Sequence, residues 1–150
     1  MTESTISSML CVDTNVILRL LLGGPFAEQV DEMWYQWQIK GMRLVAPPLF
    51  KYELTSVLRN QVFLQQISPE AGHTALTQAL KLNIRYKKLP NLHQLAFAIA
   101  EKYRLPTAYD AYFLATAQHC NCEFWTLDQR LYNSVHSQLP WVRTVTAGKL

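Results

Sequence analysis

Glycine and cysteine are scarce in this chain, with five and three copies in 150 residues. The glycines form neither a G-x-G-x-x-G nor a G-x-x-x-x-G-K pattern, which excludes the two common phosphate-cradling loops. The cysteines, Cys11, Cys120 and Cys122, are odd in number and irregular in spacing, so no disulfide framework is expected. Cys-Asn-Cys is too tight for a zinc pair, and the four histidines form no His-Glu-x-x-His pattern. Long apolar runs are also lacking. The run after Asp13 is broken by Arg19, and nothing approaches the roughly 20 residues that span a bilayer. Residues 1–8 are polar and carry Glu3 where a secretory leader would be basic. These absences lead us to expect a reduced, cytoplasmic protein with no membrane contact.

What is present describes a globular domain. Hydrophobic residues make up 49% and charged residues 17%. The length suits one domain over residues 9–150, preceded by a flexible tail over residues 1–8. Short apolar runs alternate with helical periodicities. Residues 9–12, 44–46, 83–89, 123–126 and 141–145 read as strands. Residues 16–22, 27–40, 48–65, 69–80, 92–103 and 107–119 read as helices, with a short helical turn over 128–132. Such alternation predicts an α/β fold with three layers and a central, mostly parallel sheet.

Four acids stand out against this frame. Asp13 and Asp128 follow strands, at the carboxyl edge where parallel sheets bind ligands. Each is equally an N-cap candidate for the helix after it. Glu53 borders the inward stripe of its helix, taken as Phe50, Leu54, Val57, Gln61 and Leu64. Asp110 lies on the axis of an apolar face made by Phe113, Leu114 and Ala117, although Thr107-x-x-Asp110 also resembles a capping box. Capping does not account for all four placements together. Clustered carboxylates raise one another's pKa, and hard divalent cations such as magnesium or manganese relieve that repulsion. A cation held this way can activate water and stabilise a leaving oxygen. Setting the four acids aside leaves seven against fourteen Lys and Arg, a surface suited to a polyanion.

At these residues the chain resembles the PIN-domain family. Val12-Asp13-Thr14-Asn15-Val16, Glu53-Leu54 with Leu58-Arg59, Tyr109-Asp110-Ala111 with Leu114-Ala115, and Thr126-Leu127-Asp128 are similar to its four signatures and occur in its order. The size is similar to that of VapC-like toxins of bacterial toxin–antitoxin pairs. The resemblance implies a three-layer α/β/α sandwich and magnesium- or manganese-dependent cleavage of RNA. It implies that Asp13, Glu53, Asp110 and Asp128 hold the metal, with Thr14 and Asn15 supporting the site. It also implies a homodimer silenced by a VapB-like antitoxin. Thr126 offers a further hydroxyl near Asp128. Arg19 and the Arg85-Tyr86-Lys87-Lys88 cluster are candidate RNA contacts. The apolar face of Val30, Met33, Trp34 and Trp37 is either core or a seat for another protomer or for the antitoxin, of which the resemblance favours the antitoxin.

Two other readings remain open. A haloacid-dehalogenase-like phosphatase also places an acid after its first strand, but it wants a second acid where this chain has Asn15. A non-catalytic PIN-like module would bind RNA or protein without turnover.

Overall fold

The computed structural model describes residues 8–145. The tail expected over residues 1–8 therefore lies, Ser8 apart, outside the described residues. Strand β1 (Met9–Val12) leads into α1 (Thr14–Leu22) and α2 (Ala27–Ile39). Then come β2 (Arg43–Ala46), α3 (Leu49–Phe63), α4 (Pro69–Leu80) and β3 (Ile84–Tyr86). The second half gives α5 (Leu92–Lys102), α6 (Tyr109–Cys120), β4 (Glu123–Trp125), α7 (Gln129–Val135) and β5 (Val142–Arg143). Local chemistry sets several of these limits. Gly23 ends α1 at φ 76°, a conformation that costs a residue without a Cβ little. Ser68 starts α4 by accepting a hydrogen bond from the Ala71 amide at 3.1 Å, with Pro69 in the first helical position.

Among the described residues the sheet has five strands in the order β3-β2-β1-β4-β5, and every pairing is parallel. β1 is central, which is why Leu10, Cys11 and Val12 are all buried despite lying next to one another. Adjacent residues of β4 show how the layers are arranged. Trp125 meets Trp37 of α2 at 5.7 Å between ring centroids, while Phe124 meets Phe113 of α6 at 5.9 Å. Successive strand side chains point to opposite faces, so α2 and α6 cover opposite sides of the sheet. Helices α1, α3 and α4 pack with one another and α1 packs on α2, while α5 packs on α6. This is the expected three-layer α/β/α sandwich.

The differences from expectation have physical causes. The outer strands are shorter than the apolar patterning suggests, with β3 limited to Ile84–Tyr86 and β5 to Val142–Arg143. Each has one neighbour, so pairing stops where that neighbour's ladder ends. The buried row of α3 is Phe50, Leu54 and Leu58, and Val57 and Leu64 are exposed. Docking of α4 against the Leu58 and Val62 side turns the helix from the stripe read in the sequence. On α2, Val30 and Trp37 are buried and Met33 and Trp34 pack against the same core. That face therefore contributes to the core, while Met33 and Trp37 also line a groove with Trp125 and Arg143. Among the described residues, no helix is long and apolar enough to cross a membrane.

Candidate metal centre

Because all five strands run the same way, their carboxyl ends share one edge. β1 delivers Asp13 there and β4 delivers Thr126 and Asp128. The Asp13 amide donates to the Trp125 carbonyl at 2.9 Å, which carries the β1–β4 ladder one residue past the strand. The Thr126 hydroxyl donates to Asp13 Oδ2 at 2.8 Å. The same oxygen of Thr126 accepts from Asn15 Nδ2 at 3.2 Å and from the Asp128 amide at 3.0 Å. One donor and two acceptor positions exhaust a hydroxyl. Asn15 Nδ2 also reaches Asp13 Oδ2 at 3.3 Å, and its Oδ1 accepts from the Leu127 amide at 3.0 Å. Asn15 thus ties the start of α1 to the exit of β4.

The capping alternatives divide between the acids. Asp13 occupies the cap position of α1 with extended backbone, yet its side chain makes no cap hydrogen bond and turns to Thr126 and Asn15 instead. Asp110 lies in the first turn of α6, but that helix begins at Tyr109 with Ala108 in the cap position and no side-chain cap. The capping box expected from Thr107 is not formed, because the helix starts two residues later than its sequence suggests. Asp128 does cap: its Oδ1 accepts from the Leu131 amide at 3.1 Å. A carboxylate has further lone pairs, so this cap leaves Asp128 able to bind something else. Glu53 is half-buried at the edge of the Phe50–Leu54 row, where the Thr14 hydroxyl donates to its Oε1 at 3.4 Å.

The four acids sense one another. Burial, opposed by the Thr126 hydrogen bond and joined by the nearby charges of Asp110 and Glu53, pushes Asp13 up to about 7. Burial, then the charge of Asp110, also raises Glu53. Burial, then the charge of Asp128, raises Asp110. Among the described residues, no basic side chain forms an ion pair with these acids. Among the described residues the one ion pair joins Arg143 to Glu123, at 3.6 Å. The donors are all oxygen, which suits a hard divalent cation and not a soft one. Among the described residues, however, no three ligand-type side chains meet closely enough to cage an ion unaided. The carboxylates share one edge but stand apart from a common point. The donor set fits magnesium or manganese at an open centre.

The basic residues lie elsewhere. Arg19, one turn beyond Asn15 on α1, lines a cleft beside the acids with Gly24, Gln61 and Gln66. The two glutamines come from the end of α3 and the turn after it, and no sequence spacing marks them as neighbours of Arg19. Arg85 is exposed on the outermost strand, in a separate cleft with Arg43 and Lys81. Lys87 acts on the Cys120 thiol, at the opposite end of α6 from Asp110. Lys88 is exposed. Among the described residues, Arg85, Lys87 and Lys88 make no ion pair with the four acids.

The sandwich and the acids at its carboxyl edge define a PIN domain, and the chain belongs to the PIN domain family, whose profile matches residues 10–135. Among characterised proteins it is similar to the VapC ribonuclease Mb0985 of Mycobacterium bovis. The two are 28% identical over 132 residues, which cover 88% of this chain and 95% of the relative. Ribonuclease VapC9 of Mycobacterium tuberculosis is similar to the same degree. Among solved structures, a toxin–antitoxin complex from Klebsiella pneumoniae has a chain with the same fold. Its TM-score is 0.58 at 20% identity, covering 94% of this chain and 99% of that one.

Proposed function

We propose that this chain is a magnesium- or manganese-dependent endoribonuclease, the toxin of a VapBC-type toxin–antitoxin pair. The observation that carries the reading is the group of four carboxylates at one sheet edge, three of them raised by burial and by charges within the group, with no basic ion-pair partner among the described residues. The ribonuclease names of the Mycobacterium relatives support RNA as substrate. Asp13, Glu53, Asp110 and Asp128 would hold the cation. When bound, the cation supplies activation of water and stabilisation of the leaving oxygen. The chain's own contribution is positioning. Thr126 and Asn15 fix the orientation of Asp13, and Thr14 orients Glu53. A proton competes with the cation for Asp13 near neutrality, so cation affinity rises with pH. Arg85, Lys87 and Lys88 add long-range attraction for RNA.

The reading also implies a cytoplasmic protein, a homodimer, and a VapB-like antitoxin that offers a basic side chain to the acidic edge. The deciding experiment is cleavage of labelled RNA with manganese, magnesium or chelator present. Wild type cuts only with the cation, and Glu53→Gln and Asp110→Asn each lower the rate at least 100-fold, on the order of losing a catalytic group. Unchanged cleavage by both variants rejects the proposal. Binding without turnover by wild type favours the non-catalytic module.

A further inference from the structure

Beside the acid cluster lies a cleft of about 580 Å³, bounded by α1, the Gly23-Gly24-Pro25 turn, the end of α3, and Gln66-Ile67. None of its lining residues is acidic. Its cation is Arg19, whose Nε is buried and has no hydrogen-bond partner among the described residues. A buried donor left without an acceptor is costly, and guanidinium donors are matched by carboxylates and phosphates. The guanidinium rests on bare backbone: a Cβ added at Gly24 would collide with it, and Gly24 has φ +116°. The turn is thus shaped around this side chain. Gln61 and Gln66 line the same walls.

Position selects among the possible anions. Asn15 belongs both to this cleft and to the hydrogen-bond network of Asp13. Arg19 follows Asn15 by four residues on one helix face, about 6 Å along the axis. A strand with one phosphate at the acids carries its next phosphate over a comparable step. We infer that this cleft is a phosphate subsite, in which Arg19 binds the backbone phosphate flanking the one at the acid cluster. The ligand named here rests on the ribonuclease reading. The subsite fixes the register of the strand, and so which bond lies at the acids.

The test is binding of a labelled single-stranded RNA octamer, measured on Asp13→Asn protein so that cleavage does not intervene. Adding Arg19→Gln weakens binding about tenfold and lowers the salt slope by about one. Arg19→Lys recovers part of the loss. Gln66→Glu, at an exposed position, pairs with Arg19 and weakens binding in the same direction. It guards against Arg19→Gln simply failing to fold. Affinity and salt slope unchanged in both Arg19→Gln and Gln66→Glu overturn the inference. So does an Arg19-dependent interaction with inorganic phosphate or an acidic peptide while RNA binding stays constant. The two readings fail separately. RNA cleavage with Arg19-independent binding removes only the subsite. Arg19-dependent binding without cleavage removes only the nuclease.

Discussion

Asp13 is held at the sheet edge by a hydroxyl and an amide while burial and two neighbouring acids resist its ionisation. An unfolded aspartate loses its proton near pH 4, roughly three units below the value of about 7 reached here. Between those values the folded state holds a proton that the unfolded state has released. Metal-free stability therefore falls as pH rises from about 4 to about 7, and above that this group adds no further slope. A bound cation removes the fall. Thermal melting at pH 5 and pH 7.5, with and without manganese, checks both statements. Asp110→Asn relieves the same crowding and should raise the metal-free melting temperature at pH 7.5 by roughly 2–4 °C. A lower melting temperature would show that Asp110 serves the helix start instead. At Asp128 the two roles can be separated. Asp128→Asn keeps the hydrogen bond to Leu131 and loses the charge, so manganese binding drops while stability holds. Asp128→Ala loses both, with a stability cost of about 1 kcal/mol in urea unfolding.

The elements were legible where their signals are local. The Pro47-Pro48 start of α3, Ser68-Pro69 before α4 and the glycine stop after α1 all stand where the residues put them. Asp13 and Asp128 were legible because strand exits can be located from short apolar runs, and Glu53 and Asp110 because each stood against the apolar pattern of its helix. The lengths of β3 and β5 were not legible, since pairing depends on neighbours far along the chain. The rotation of α3 and the cleft at Arg19 were hidden for the same reason: both arise where α3 or its end meets another element. Trp37 shows how much one tertiary contact carries. It lies between Trp34 and Trp125, at 6.3 and 5.7 Å, and fastens α2 to the sheet. Trp37→Ala should cost about 3–5 kcal/mol by urea unfolding, more than a seat for a detachable partner would. A loss below about 1 kcal/mol would return that face to the surface.

For the whole molecule, the proposal makes toxicity depend on catalysis. Expression of the chain alone should arrest growth, and Asp13→Asn should abolish the arrest while the protein still accumulates. Arrest of equal strength by Asp13→Asn would mean that the chain harms by sequestering RNA. Co-expression with a VapB-like antitoxin should give a stable, inactive complex.

The hydrogen bond from Thr126 to Asp13 closes a span of 113 residues. A ribosome making this protein releases Asp13 113 residues before Thr126. Until β4 emerges and inserts beside β1, Asp13 has lost its two anchors on that strand's exit, the Trp125 carbonyl and the Thr126 hydroxyl. On the ribonuclease reading, a nascent chain without β4 would be unable to cut RNA, and that capacity would appear only once β4 has inserted beside β1.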